Sequence, residues 1–594
     1  MRLPVQIAII ILILKSISFS QSDWHLVDES ATRLPDTLTL SFDVDGGPIR
    51  PGLGLDLLVG QMPIITRNLP GVAQFFLNNG QGYFSLADSS FFPQRNDYTS
   101  VVMLFDIQGD GDLDAFIANF NYMRDYVAIN DGNGIFHIDW SRLPRDSANA
   151  LKGDYADVDD DGSIDVCLLG NNEMRFSDRM WMNNGQGYFH NEIDRLPAPR
   201  SYYRYVGFAD LNGDLAPDIV AVYDDGYESH PEIFINDGSG HFSNESAQRL
   251  PPSENFCWIA ALADIDNDGD YDILLSYATR IGFLINDSTG HFTDQTDERG
   301  PADGGASAFG VFDANDDGHE DFIFGTSGDS SLIFVNDGTG HFEDQTSLRL
   351  PVTYSSTRKI FAGDLDGDGD ADLFRVGDAY CRNSIYINTL NARDSIPPSI
   401  MNQIILPIFD TLTGPYPVKM ITQDGVSIEY QLSCYVHYSI NRITFYSDSL
   451  HYTGGFIFYG TIPEVDSGIT VYYYYTATDK EGNESRIPRN APDSLFSFTY
   501  LPGYVGINES NGQLPEILNI SAYPNPFNSS TILSIGSGRD ADISIYDITG
   551  RLVSVLHSQD GKATWKPEGY SSGIYFARAG FGDKSSVIKL IYLK

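Results

Sequence analysis

The residues in this sequence best suited to chemistry are its aspartates, because one acidic block recurs with fixed internal spacing. The clearest copies read Asp264-Ile-Asp266-Asn-Asp268-Gly269-Asp-Tyr-Asp272 and Asp364-Leu-Asp366-Gly-Asp368-Gly369-Asp-Ala-Asp372. Oxygen donors at positions one, three, five and nine, with glycine at six to turn the backbone, wrap a small hard cation as the first half of an EF-hand loop does. The second half differs. An EF-hand closes on a glutamate at position twelve, whereas Leu275 and Arg375 stand there inside strand-like runs, so the ninth-position aspartate must close the site.

Four more copies keep the register. They offer Asp157, Asp159, Asp161 and Asp165; Asp210, Asn212, Asp214 and Asp218, with Leu215 where glycine is usual; Asp313, Asn315, Asp317 and Asp321; and Asp106, Asp110 and Asp114, with Gln108 in third place. A seventh block starts at Asp43 and Asp45. There the segment from Gly47 to Gly52 reads as an insertion that moves the closing carboxylate to about Asp56, and whether that loop takes a metal is left open. A single Asp-Gly turn merely caps a hairpin, but six blocks in register crowd carboxylates whose repulsion a cation would relieve. An all-oxygen, crowded, flexible ligand set favours calcium over magnesium. The expectation is about six Ca2+ ions with a structural role.

The blocks recur every 49 to 63 residues, and the elements between them are short strands. Each block leads into an apolar run such as Asp272-Ile-Leu-Leu-Ser, then a second strand and a Gly-rich turn. Those turns are Asn79-Gly-Gln-Gly-Tyr-Phe, Asp131-Gly-Asn-Gly-Ile-Phe, Asn184-Gly-Gln-Gly-Tyr-Phe, Asp237-Gly-Ser-Gly-His-Phe, Asp287-Ser-Thr-Gly-His-Phe and Asp337-Gly-Thr-Gly-His-Phe. Asn-Gly and Asp-Gly supply the positive φ that tight hairpins need. An Arg-Leu-Pro close follows, at Arg195, Arg249 and Arg349 for example. Seven blocks share only six turns, because the seventh unit runs out at Ile387-Asn388-Thr389-Leu390. Residues 24–35, ending Glu-Ser-Ala-Thr-Arg-Leu-Pro, match the outer-strand sequence 241–251, so the N-terminal strand should complete the seventh unit. A closed ring needs that permutation to hide a sheet edge, which predicts an all-β, seven-bladed β-propeller.

A formal charge of −44 excludes a nucleic-acid-binding face, which needs clustered Lys and Arg, and disfavours anionic membranes. The apolar run Val5–Leu14 is too short to span a bilayer and reads as a secretory signal peptide over 1–20; no later stretch is apolar enough for a transmembrane anchor. Cys167, Cys257, Cys381 and Cys434 show no metal spacing, and the first two sit in strand-like runs as buried thiols.

The units resemble FG-GAP or VCBS repeats of secreted bacterial proteins, related to the propeller of integrin α chains. Phe208-Ala-Asp210, Phe361-Ala-Gly-Asp364 and the Asn-Asp-Gly-x-Gly-x-Phe turns carry the likeness over residues 24–392. It implies a calcium-binding propeller, often adhesive. Residues 395–500, with Val471-Tyr-Tyr-Tyr-Tyr-Thr-Ala-Thr-Asp479, are similar to an immunoglobulin or fibronectin type III-like β-sandwich in which that run is the penultimate strand; its tyrosines should alternate between core and surface. After a linker at 501–516, residues 517–594 resemble the C-terminal sorting domain of type IX secretion, a small β-sandwich. The carrying motifs are Tyr523-Pro-Asn-Pro-Phe-Asn528, Ile545-Tyr-Asp-Ile-Thr-Gly-Arg551, Trp565 and Ser572-Gly-Ile-Tyr575. That resemblance implies the type IX machinery as a partner and a secreted protein, attached to the surface of a Gram-negative cell.

No catalytic constellation stands out. His241, His291 and His341 occupy one repeat position and read as turn residues, and no HExxH, GxSxG or phosphate-cradling motif occurs. The reading is therefore a binding, adhesion or display protein for an extracellular glycan or protein, not an enzyme; the alternative is a polysaccharide lyase or hydrolase built on a propeller. Departures from the repeat at Gly46–Gly54, Asn119–Asp125 and Tyr223–His230 are the candidate specificity segments.

Overall fold

The computed structural model is all-β, with 51% of residues in strands and 5% in helices. The structure describes residues 24–500 and 520–592, apart from 37–39, 64–70, 146–148, 171–177, 199–201, 225–226, 253–255, 279, 301–304, 327–329, 353–355, 378–381, 391–392, 407–413, 524–529, 536–541, 548–550, 559–561, 568–569, 571–572 and 582–583. The expected signal peptide, the linker and Cys381 lie outside the described residues. Among those described, no helix is long and apolar enough to cross a membrane.

Seven four-stranded antiparallel sheets fill the repeat region. Six are local meanders, spanning residues 40–86, 99–139, 150–191, 203–244, 257–294 and 308–344. The seventh takes Thr357–Gly363, Asp372–Gly377 and Ser384–Asn388, and borrows its outer strand, Leu26–Asp28, from the N-terminus. Leu26 lies opposite Asn388 and Asp28 opposite Tyr386, so the strand expected to complete the last unit does complete it.

The second strand of each sheet is covered on both faces, which is why it reads as a continuous apolar run: every residue of Asp272–Tyr277 is buried. Each interior is shared by consecutive sheets. Leu274 and Phe283 of the fifth pack with Phe322 and Phe334 of the sixth, and Leu57 and Phe76 of the first pack with Phe374 and Ile385 of the seventh. First strands from all seven sheets, through Asp43, Val101, Gly153, Gly207, Ala260, Phe309 and Ile360, line one cavity of about 270 Å³. Repeated four-stranded sheets packed in this way are consistent with a β-propeller.

Residues 399–499 form an eight-stranded sheet wrapped around a core of Tyr416, Met420, Tyr473, Tyr475 and Phe498. Tyr446–Tyr452 pairs with strands on both sides, so the ladder runs continuously around that core. The tyrosine run alternates as expected: Tyr473 and Tyr475 are fully buried, while Tyr474 stacks on His437 on the other face. Two short strands, Glu484–Ile487 and Phe496–Thr499, follow the run, which is therefore not penultimate. Cys167, Cys257 and Cys434 are buried free thiols.

Residues 505–594 are a separate compact unit. Ile520–Tyr523, Thr531–Ile535 and Lys562–Trp565 make one sheet, and Asp542–Asp547, Leu552–His557, Gly573–Phe581 and Lys584–Tyr592 another. Leu533, Ile543, Trp565, Tyr575 and Leu590 share one apolar cluster.

Candidate functional site

Each acidic block is the connection between the first and second strands of its sheet. Positive φ angles at positions four and six bend it, at Gly109 and Gly111, Asp160 and Gly162, Gly213 and Leu215, Asn267 and Gly269, Asp316 and Gly318, and Gly367 and Gly369. Leu215 adopts φ +64 where glycine would sit without strain.

Position nine opens the second strand and is sealed in. Asp272 Oδ1 accepts the Asn286 amide at 2.7 Å and Oδ2 the Ile265 amide at 3.0 Å. Asp114, Asp165, Asp218, Asp321 and Asp372 repeat this pair of bonds. Position one accepts loop amides: Asp264 takes Asp268 and Gly269, and Asp313 takes Asp317 and Gly318. Asp106, Asp157, Asp210 and Asp364 likewise hold loop amides. Burial is the largest influence on these carboxyls and, with repulsion among them, pushes Asp114, Asp157 and Asp264 up to about 7 and Asp272 up to about 9.

In three loops, positions one, three and nine place carboxylate oxygens within 4.8 Å of one another: Asp157, Asp159 and Asp165; Asp264, Asp266 and Asp272; Asp364, Asp366 and Asp372. The third-position carboxylate is divided. Asp266 Oδ2 receives Arg299 Nη2 at 2.8 Å, and Arg195 and Arg33 reach Asp159 and Asp366 in the same way at 3.3 and 3.2 Å. The other oxygen, Oδ1 of Asp159, Asp266 and Asp366, is buried without a hydrogen-bond partner. An orphaned carboxylate oxygen repeated in three loops is costly unless a cation takes it, so the residues fit a hard metal ion. Asp106, Asp210 and Asp313 belong to loops whose third position is an amide, Gln108, Asn212 or Asn315, and so assemble two carboxylates rather than three. Position five flanks the trios: Asp110, Asp161, Asp214, Asp268, Asp317 and Asp368 each accept the amide two residues on, and Asp161, Asp268 and Asp368 repel the trio carboxylates of Asp159, Asp264 and Asp366. Position seven, passed over in the sequence pattern, adds three more perturbed acids, with burial raising Asp112 and pushing Asp270 up to about 6 and Asp370 to about 8.

The first sheet corrects the reading of Asp43. Asp43 and Asp45 are strand residues within Leu40–Gly47, and their carboxylates accept the Val102 and Leu104 amides of the next sheet. Gly47 pairs with Asp56 as Phe105 pairs with Asp114, so the true loop is residues 48–56. It has the standard nine residues and contains no insertion. Position one is Pro48 and position three is Arg50, whose guanidinium grips the fully buried Asp56 through Nε at 2.9 Å and Nη2 at 2.7 Å. A tethered cation stands where the other loops would take an ion.

The roles of two residue rows escaped the sequence reading. The Arg of the Arg-Leu-Pro close reaches a carbonyl of the next sheet's turn, as Arg195 does at Ser239 and Arg249 at Thr289, both 2.6 Å, and Arg33, Arg142 and Arg195 also contact the third position of their own loop. An asparagine before each turn, Asn286 for example, accepts Gly290 N–H and donates to Leu211 O of the preceding sheet at 2.9 Å. Its signal was present, since Asn78, Asn130, Asn183, Asn236, Asn336 and Asn388 hold the same place. His241, His291 and His341 lie in the exposed turns beside Ser239, Thr289 and Thr339.

At the opposite strand ends a cavity of about 870 Å³ opens, lined by Phe42, Lys152, Tyr202, Arg204, Trp258 and Arg358 among others, and by no carboxylate among the described residues. Arg204 lies 4.7 Å from the Trp258 ring and ion-pairs with Asp224, and Arg358 lies 4.3 Å from Phe42. Burial, with Arg204, Arg358 and Lys359 nearby, pulls Lys152 down to about 8 despite Asp43.

Residues 157–221, 210–275, 264–324 and 313–374 match the FG-GAP-like repeat, four copies in tandem, and 521–593 match the secretion system C-terminal sorting domain. The chain thus carries FG-GAP-like repeats and a type IX sorting domain, and is a secreted or cell-surface protein handled by that system. No curated protein matches it significantly. Among solved structures, the V. cholerae biofilm matrix protein Bap1 aligns at 12% identity and a TM-score of 0.29, over 93% of this chain and 87% of that one.

Proposed function

We propose that the seven sheets close into a calcium-stabilised propeller that displays a binding site for acidic glycans at the cell surface. The observation that carries the ligand class is the cavity mouth. In a chain of net charge −44 it gathers Lys152, Arg204 and Arg358 with Trp258, Tyr202 and Phe42 and, among the described residues, no lining carboxylate. Guanidinium groups recognise carboxylates or sulfates, and aromatic faces take the apolar face of a sugar ring. Closure is supported by the shared interior of the first and seventh sheets and by a cavity that every first strand lines. Calcium would be held by positions one, three and nine of the loops and would supply the positive charge that the single arginine on each third-position carboxylate leaves unmet; its role is structural.

Calorimetry of the full chain with uronate oligosaccharides and with neutral analogues tests the reading. Acidic oligosaccharides should bind and be recovered intact, and Arg204→Ala with Arg358→Ala should weaken binding at least tenfold. Equal affinity for neutral sugars, or none for either, defeats the assignment, and shortened or unsaturated products would favour a lyase or hydrolase instead. Deleting residues 517–594 should hold the protein in the periplasm.

A further inference from the structure

Outside the repeat loops, three further aspartates converge where residues 395–500 meet the repeat sheets. Asp394 follows the seventh unit, and its amide donates to Gly369 O of the acidic loop 364–372 at 2.9 Å. Asp424 lies in the turn after Tyr416–Gln423, where its Oδ1 accepts the Val426 and Ser427 amides. Asp479 follows Thr470–Thr478 and accepts the Gly482 and Asn483 amides. These residues come from three unrelated segments, yet each places a carboxylate oxygen within 4.8 Å of the other two. Two oxygens on opposite sides of a calcium ion, each bonded at ~2.4 Å, stand about that far apart.

A second observation singles this cluster out from an ordinary acidic patch. Asp394 is only 5% exposed; its Oδ1 is held by the Ile396 amide, and its Oδ2 is buried with no hydrogen-bond partner. The basic side chains next in sequence are committed elsewhere, Arg393 to Glu481 and Lys480 to Asp364 at 2.6 Å. Among the described residues no Lys or Arg ion-pairs with any of the three, in contrast to Asp56 with its Arg50. Burial, with repulsion from Asp424, Asp479 and Asp316, pushes Asp394 up to about 7.

We infer that Asp394, Asp424 and Asp479 form a further divalent-cation site of the calcium class, separate from the repeat loops, that fastens residues 395–500 to the propeller region. The surrounding hydrogen bonds already lead both ways. Ser395 donates to Asp316 of the sixth loop, and Asn483 donates to the Asp394 carbonyl. An ion here would join that seam with charge rather than with apolar area.

Equilibrium dialysis of the full chain against calcium, with Asp394→Asn and Asp424→Asn introduced together, reads the site directly. The double variant should bind one ion fewer than wild type, and amide exchange at 393–396 and 479–483 in saturating calcium should become faster. Asp264→Asn with Asp266→Asn is the parallel control and should remove an ion without altering exchange in those two segments. Should the double variant lose its circular dichroism signature, Asp424→Asn alone keeps the acceptor for Val426 and Ser427 and is counted instead. An ion count equal to wild type in a folded variant overturns the site.

Discussion

The loops at 48–56 and 364–372 share a nine-residue frame and end on an aspartate sealed from solvent, Asp56 and Asp372. In both, Oδ1 of that aspartate accepts the amide of the asparagine that ends the sheet's third strand, at 2.7 Å from Asn78 and 2.8 Å from Asn388. They differ at position three. Arg50 brings its positive charge on a covalent tether, while Asp366 adds a negative one and leaves Oδ1 unpartnered. On the proposed reading, one scaffold has two ways to neutralise the same buried carboxylate, a tethered guanidinium or a bound ion, and the third residue selects between them.

The largest expected effect follows from removing the diffusible cation. Each occupied loop gains about 2.7 kcal/mol at a hundredfold excess of ion over its dissociation constant, so excess EDTA should lower the melting temperature by at least about 10 °C. Stripped protein should also become pH-sensitive. Carboxyls raised from 3.8 to about 7 and, at Asp272, to about 9 hold protons in the folded chain that the unfolded chain has released. The folded state then binds more protons between those values, and stability should fall as pH rises from about 4 to 9. A melt indifferent to EDTA would put the acidic loops on the same footing as 48–56.

Next comes the tethered cation. Arg50→Ala strands Asp56 in the interior and should cost about 3–5 kcal/mol in urea unfolding. Millimolar calcium should not restore it, because Pro48 supplies no second carboxylate. Grafting the sequence of 364–372 onto 48–56 sharpens the comparison. It should add one bound calcium per chain and return about 2.7 kcal/mol at a hundredfold excess of ion; an unchanged ion count would mean that more than the loop sequence makes a site. The smallest effect belongs to the arginine latch. Arg299→Ala removes bonds to the Thr339 and Gly340 carbonyls and should cost about 1–2 kcal/mol. It should also tighten calcium binding by 264–272 a few-fold, since a competing charge leaves Asp266.

Much of this was legible in the sequence, for reasons that also explain the failures. Strand, acidic loop and Gly-x-Gly turn recur at fixed spacing, and the misplaced copy at Trp24 gave the pairing of Leu26–Asp28 with the last sheet. The first loop was misframed because Asp43 and Asp45 imitate positions one and three. The strand pairing, not acidity, sets the frame, and Pro48 and Arg50 have no acidic signature. The guanidinium bridges between sheets were visible only as a repeated Arg-Leu-Pro, since their partners come from another unit. Asp394, Asp424 and Asp479 belong to no repeat, and only the packing of residues 395–500 brings them together.

The borrowed outer strand also sets an order of assembly. His25 and Thr389 are hydrogen-bonded across 364 positions of chain, so Leu26–Asp28 is synthesised first and finds its partner only when the repeat region is nearly complete. Closing a loop of that length costs roughly 5 kcal/mol of chain entropy, recovered only by the final docking. The outer strand of the seventh sheet is therefore expected to dock last, and until it does, the strand Ser384–Asn388 presents an unpaired edge to whatever chaperone or pore is handling the chain.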